Sequence, residues 1–427
     1  MDLTIEGKAY LHGAFDQCCI GISDGKIAAV KKILKGDEHV DFGSRLILPA
    51  GVDLHVHFRD PGFVHKEDFT TGSTAAAFGG VSCVFDMPNT RPQTIDTRSL
   101  VEKKTIAEKK SVVDFGLYTG VTENNIETIK DLAEHCQGFK IYLGSSTNSL
   151  HLSEQKLEDA LKEIHASAKP VLIHAESNRC LDQFKIVCNN LRDHLRSRPA
   201  GCEETAIKNI VQLSKKIPSQ THICHLTSCD GMEMLKTKPQ NITVGVTPHH
   251  LLFDVNKIKA REALYKVNPP IRTNVDRETL WRGVRTGMID IIESDHAPHT
   301  LEEKDREFDG APSGMPGVET MYPLFLAEVK QERLSFNRLM SLVCEKPAEL
   351  LNVPKGKIEV GRDADLVVVD FKKISKINAD ELHSKCGWTA FEGMHAIFPT
   401  HVFVRGGKII DDQEMRGRAG FGRCVGE

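Results

Sequence analysis

A handful of polar side chains sit where an apolar strand should have none. His55 and His57 close the run LILPAGVDLHVH, and Lys140 lies inside GFKIYLG. His174 ends PVLIHAE, His225 follows THIC, and Asp295 lies late in IDIIESDHAP. Residues i and i+2 of a strand face the same way, so His55 and His57 aim together. That is a metal-ligand spacing, and imidazoles with a carboxylate suit Zn²⁺ or a similar divalent ion. The set is too large for one tetrahedral ion with an open position, whereas two ions sharing a bridge would use all of it. Lys140 is the discordant member. A lysine at a strand end commonly carries its head out to solvent. A free ammonium beside two dications would be strongly repelled. A neutral amine that has taken up CO₂ becomes a carbamate, an anionic ligand with two oxygens that can bridge. Beside five other ligand candidates, the carbamate is the preferred reading.

The elements that must position these groups can be read from the pattern around them. Eight short apolar or β-branched runs cover 46–57, 81–88, 113–121, 138–144, 170–176, 221–228, 242–248 and 289–298. Helix-like stretches lie between most of them, at 98–110, 125–135 and 153–168 among others. Strands that are apolar throughout and alternate with helices are parallel and buried on both faces. Eight such units predict a closed (β/α)8 barrel rather than an open doubly wound sheet. The polar residues fall toward the carboxyl ends of the runs, the face on which barrel enzymes build their sites. Insertions are expected at 177–220 and 299–353. Residues 1–48 read as short strands with an Asp24-Gly25 hairpin signal, and 354–427 read likewise. Neither end can fold alone, so the two are expected to form one small composite β-sandwich. The barrel would then occupy 49–353.

The chain has 427 residues and a formal net charge of -4, from 55 Lys plus Arg and 59 Asp plus Glu. That balance argues against a nucleic-acid reader or a polybasic membrane binder. No apolar run is long enough to predict a transmembrane helix. The opening MDLTIEGKAY has neither a charged n-region nor an apolar h-region, so the expectation is a cytoplasmic chain. Its 12 cysteines are then expected as reduced thiols. Of the 19 histidines, His249 and His250 could approach the site from the seventh run, although a structural role is preferred. The others outside the ring are read as ordinary loop, helix or terminal residues.

The block VDLHVHFRDPGFVHKEDFTTGSTAAAFGGVSCVFDMPNTRP resembles the dihydroorotases of the amidohydrolase superfamily, as do ESDHAPHTLEEK and SGMPGVET. The likeness continues through GKIEVGRDADLVVVD and WTAFEG. GFKIYLG and ICHLTS are similar to the dihydroorotase domain of the animal multifunctional pyrimidine enzyme, the branch with a carboxylated lysine. The resemblance implies a barrel with a small β-sandwich. It implies reversible interconversion of N-carbamoyl-L-aspartate and L-dihydroorotate, a cyclic-amide hydrolase step of pyrimidine synthesis. Two divalent ions would be bridged by N6-carboxylated Lys140, one with His55, His57 and Asp295, the other with His174 and His225. Asp295 would also carry the proton. Arg59, Asn89 and His299 would hold the substrate carboxylate, Asn268 and the Gly317 backbone would meet the ring, and Ser146 would touch it from the 144–149 loop. Thr147 replaces an aromatic residue of the animal domain. Gly245 stands where that domain has an acidic ligand of a third metal, so a third metal is left open and not favoured. Two alternatives remain, a hydantoinase or allantoinase sharing the metal ring, and a silent scaffold homologue. The small-molecule substrate is the expected partner. Homo-oligomerisation and association with aspartate transcarbamoylase are left open.

Overall fold

The computed structural model describes residues 1–144 and 150–426. Eight parallel strands run in chain order around a barrel: Gly51–Val56, Val81–Asp86, Asp114–Gly120, Gly138–Tyr142, Val171–His174, Thr221–Ile223, Ile242–Val246 and Ile291–Ile292. The circle closes where Val56 bridges His296 and the His57 N–H donates to the His296 carbonyl at 2.8 Å. The first six strands are buried at every position. Such strands need a wall of helices outside and packed side chains within, and so carry no polar face. The helices are cut to fit that wall. In Leu157–Ala166 the buried positions are Leu157, Ala160, Leu161 and Ile164, one stripe at helical spacing. Asp68 and Asp96 cap the helices Phe69–Phe78 and Thr97–Lys110 through reciprocal bonds with Thr71 and Ser99.

Three local expectations are modified. The run 46–57 is not one strand. It divides at Ala50, whose N–H pairs with Asp365 of the terminal sheet, while the Gly51 N–H pairs with Gly80 of the barrel. The helix expected at 125–135 shrinks to Ile129–Leu132 after a 3-10 turn. There the Asn125 amide is tied to the Gly120 and Ile95 carbonyls, which fixes a turn. The thiols are not all reduced: Cys180 and Cys202 form a disulfide. Both lie in the 177–220 insertion, where helices Asn178–Leu181 and Ala200–Lys216 pack together and bring the two Cα atoms to 5.3 Å. Sequence separation alone carried no sign of that approach.

Strands from both termini form a separate eight-stranded sheet. Leu366–Val369 joins the halves by pairing antiparallel with Glu38–Pro49, Val368 opposite Ile47. Ile5, Ile20, Ile27, Ile47, Leu366 and Phe403 share one apolar cluster on it. The Asp24-Gly25 turn forms as expected, both residues having positive φ. Not all of the C-terminal segment stays with this sheet. Trp388 and Phe391 pack with Val255, Leu264 and Phe308 beside the barrel, and Val425 donates to the Phe115 carbonyl at 2.9 Å. Among the described residues, no helix is long and apolar enough to cross a membrane.

Sheet and barrel are fastened by a buried ion cluster. Lys355 Nζ lies 2.7 Å from Asp114, 3.0 Å from Asp363 and 2.7 Å from Asp365, and Arg405 also pairs with Asp114. The Lys355→Met variant leaves these carboxylates without their shared cation. It is expected to lose about 3–5 kcal/mol in denaturant unfolding, whereas Lys357→Met, at the surface, is expected to lose almost nothing.

Candidate metal centre and substrate cavity

His55, His57, Lys140, His174, His225 and Asp295 line one cavity of about 560 Å³ at the carboxyl end of the barrel. They divide into two groups. His57 Nε2 stands 3.2 Å, and His55 Nε2 3.4 Å, from the same Asp295 oxygen. Across the ring, His174 Nδ1 and His225 Nε2 face each other at 3.1 Å. Lys140 is fully buried, and among the described residues its Nζ donates only to Cys224 Sγ, at 3.2 Å.

The far side of each ring decides what the near side can do. His55 Nδ1–H donates to Glu293 at 3.0 Å, His57 Nδ1–H to Asn89 Oδ1 at 2.6 Å, and His174 Nε2–H to Glu176 at 2.8 Å. Glu176 is itself gripped by Arg198, whose Nε lies 3.1 Å from one oxygen and 3.2 Å from the other. A neutral imidazole that donates from one nitrogen offers a lone pair at the other. The lone pairs of His55 and His57 therefore meet a carboxylate oxygen head-on, an arrangement that calls for a cation between them. Burial works in the same direction. It pushes His57 down to about 4, holds His174 below the ordinary imidazole value and holds His225 well below it. Burial by itself would raise the Asp295 carboxyl. Only positive charge on the His55 and His57 side outweighs it and keeps that carboxyl well below the usual range, a charge that neutral rings leave to a cation. The His225 Nδ1 atom is buried without a partner. Ligand atoms of His55, His57 and Asp295 all lie within 4.8 Å of one another. These residues fit a divalent metal.

Three site residues take left-handed backbone: Arg59 at φ 63°, His225 at φ 35° and Asp295 at φ 45°. Each such position costs about 1–3 kcal/mol and persists only where its surroundings over-determine it. At Arg59 the support is visible. Asp86, buried against Lys103, accepts the Phe58 N–H at 2.6 Å.

Arg59 lines the cavity with Asn89, Asn268 and His299. Its Nε donates to the Pro298 carbonyl at 3.1 Å, and its Nη2 stands 3.2 Å from His299 Nε2. Lys66 Nζ donates to the other nitrogen of His299 at 3.1 Å, and burial pushes that ring down to about 3. Lys66 has Glu303 as counter-ion at 2.9 Å, but among the described residues Arg59 has no carboxylate partner. Asn268 accepts from Ser313 at 3.3 Å. Gly317 does not join the lining. Its N–H donates to His296 Nδ1 at 3.1 Å and its carbonyl caps the next helix, so neither backbone group faces the cavity. Residues 309–314 form that wall instead. Ser146 and Thr147 lie outside the described residues. His250 is occupied by Thr247 and the Pro269 carbonyl, a structural role, whereas His249 is buried with Nε2 unpartnered.

Comparison with known proteins agrees with this architecture. A model of the amidohydrolase family matches residues 46–409. The chain belongs to the amidohydrolase family. A dihydroorotase of Methanosarcina acetivorans is 38% identical over 98% of this chain and 94% of its own. One of Thermoplasma acidophilum is 40% identical over 97% of this chain and 96% of its own. Among solved structures, an L-hydantoinase (dihydropyrimidinase) of Arthrobacter aurescens is 28% identical, with TM-score 0.95 and 100% of both chains covered. A dihydropyrimidinase of Brevibacillus agri is 26% identical, with TM-score 0.92, covering 100% of this chain and 98% of its own.

For this amidohydrolase, sequence reasoning passed over the residues that support the ring. Glu176 and Glu293 lie two positions from His174 and Asp295, so a carboxylate two residues from a ligand candidate could have been the signal for them. The loop 309–314 carried no such signal, because lysines from other segments hold it. Lys266 Nζ donates to the Phe308, Asp309 and Ala311 carbonyls, and Lys304 Nζ to those of Pro312 and Gly314. Lys304→Met is expected to leave metal content intact, to speed amide exchange across 308–314 and to raise KM. Unchanged exchange in that segment would contradict the bracing role.

Proposed function

We propose that the protein is a dihydroorotase, closing N-carbamoyl-L-aspartate to L-dihydroorotate reversibly in pyrimidine synthesis. His55, His57, His174, His225 and Asp295, with Lys140 as its carbamate, would hold two divalent ions, zinc or similar. The observation that carries the substrate assignment is Arg59, a buried guanidinium in the cavity wall without a carboxylate among the described residues. A buried cation needs a counter-charge, and a planar guanidinium receives a carboxylate through paired hydrogen bonds. The substrate brings that carboxylate. Asn89 supports the same reading, since it lines the same cavity and accepts the His57 N–H through its Oδ1, which leaves its amide N–H groups to donate.

When bound, the metal ions would supply Lewis acidity, bringing a water toward ionisation at neutral pH and polarising the scissile carbonyl. The chain supplies the rest. Arg59, Asn89 and His299 hold the spectator carboxylate, fixing the ring so that its amide carbonyl meets the water in one geometry. In hydrolysis the new C–O bond forms as the ring C–N bond breaks. Asp295 takes the proton of the attacking water and delivers it to the leaving ring nitrogen. In cyclisation Asp295 removes the ureido N–H proton, the nitrogen attacks the protonated side-chain carboxyl, and Asp295 returns the proton to the departing hydroxyl, which leaves as water. Lys140 would serve as a ligand only as its carbamate, formed when its neutral amine adds CO₂ and releases a proton.

A hydantoin ring brings no carboxylate for Arg59 to hold. Assayed side by side, dihydroorotate is expected to be turned over far faster than hydantoin or dihydrouracil. Arg59→Met is expected to lower kcat/KM for dihydroorotate about 10- to 100-fold, the worth of a charged hydrogen bond, with metal content unchanged. Preferential turnover of hydantoin, or a wild-type protein that binds metal but turns over neither, would contradict the proposal.

A further inference from the structure

The two groups of metal-ligand candidates share one supporting side chain. Glu293 lies beneath the ring, fully buried, two residues before Asp295. One oxygen accepts the His55 Nδ1–H at 3.0 Å. The other accepts the backbone N–H of His225 at 2.5 Å, the residue held at φ 35°. His55 belongs to the Asp295 group and His225 to the His174 group. By contrast, Glu176 bonds to one ligand ring only, that of His174. Room for Glu293 comes from the neighbouring strand. A Cβ at Gly245 would stand 2.4 Å from the Glu293 carboxylate and 2.7 Å from His222 Nε2. No side chain fits there while Glu293 keeps its place.

We propose that Glu293 is a positioning residue that couples the two metal sites, orienting His55 in one and the backbone of His225 in the other, and that Gly245 provides its seat. This rests on the metal-centre reading above. Outer partners that fix the tautomer and orientation of a ligating imidazole typically change metal affinity 10- to 100-fold when removed. For Glu293 that loss falls on both ions, because one carboxylate serves a ligand of each. In E176Q it falls on the His174 site alone.

The test is Co²⁺ titration of metal-free protein, followed by absorbance and by competition with a chelator, on wild type, E293Q, E176Q and G245A. Melting of each metal-free variant against metal-free wild type separates misfolding from lost affinity. The expected result is two equivalents in wild type and weakening by about 10- to 100-fold at both sites in E293Q. G245A, which keeps the carboxylate but displaces it, is expected to follow E293Q, and E176Q to weaken one site. Wild-type affinity at either site in E293Q, or in G245A should E293Q not fold, would overturn the proposal. So would a third equivalent in wild type that E293Q loses, since Glu293 would then be a ligand. A wild-type protein that binds no Co²⁺ would overturn the metal-centre reading itself.

Discussion

An imidazole can lend a lone pair to a cation only from a nitrogen that holds no proton, and here burial and the far-side acceptors together decide which nitrogen that is. Taking His57, His174 and His225 out of water holds their rings below the ordinary imidazole value. The remaining proton goes to whichever nitrogen has an acceptor. Glu293, Asn89 and Glu176 supply those acceptors on the outer side of His55, His57 and His174. The inner nitrogens of His55 and His57 are thereby turned toward one Asp295 oxygen. Without an ion this is a set of opposed lone pairs. With one it is a coordination shell.

That constraint explains much of the surrounding structure. A carboxylate buried to orient a ring must itself be satisfied. Glu176 has Arg198, and Glu293 has the His225 N–H as well as His55. Left-handed backbone at Arg59, His225 and Asp295 is tolerated because closed strands and buried hydrogen bonds leave no easier path. The same closure sets the Arg59 guanidinium beside the histidines in one cavity. Arg59 follows His57 by two residues, so one strand end presents both.

Sequence pattern carried the parts governed by short periods. The alternation of apolar runs with helical stretches gave the barrel, and His55-x-His57 gave a shared face. The one-strand reading of 46–57 failed because hydrogen-bond partners, not hydropathy, divide it at Ala50. The 309–314 wall was hidden because Lys266, from a distant segment, and Lys304, from the short helix just before it, hold its carbonyls. Gly317 looked suitable for a ring contact within its motif, yet its N–H is taken by His296 and its carbonyl by the following helix. The Cys180–Cys202 bond depended on two helices meeting, which spacing does not encode. Glu293 was legible in principle, standing two residues before Asp295, but its meaning needed the space above Gly245.

The scaffold is close to that of solved hydantoinases, while the similar sequences are those of dihydroorotases. On the proposed reading, selectivity among cyclic amides comes from the wall that carries Arg59. The most direct measurement is a crystal structure of the metal-loaded protein with dihydroorotate bound. The account predicts two ions joined by a carboxylated Lys140, with the substrate carboxylate on Arg59 and the ring amide toward Asp295. An unmodified Lys140 beside the ions, or a substrate carboxylate held away from Arg59, would contradict it.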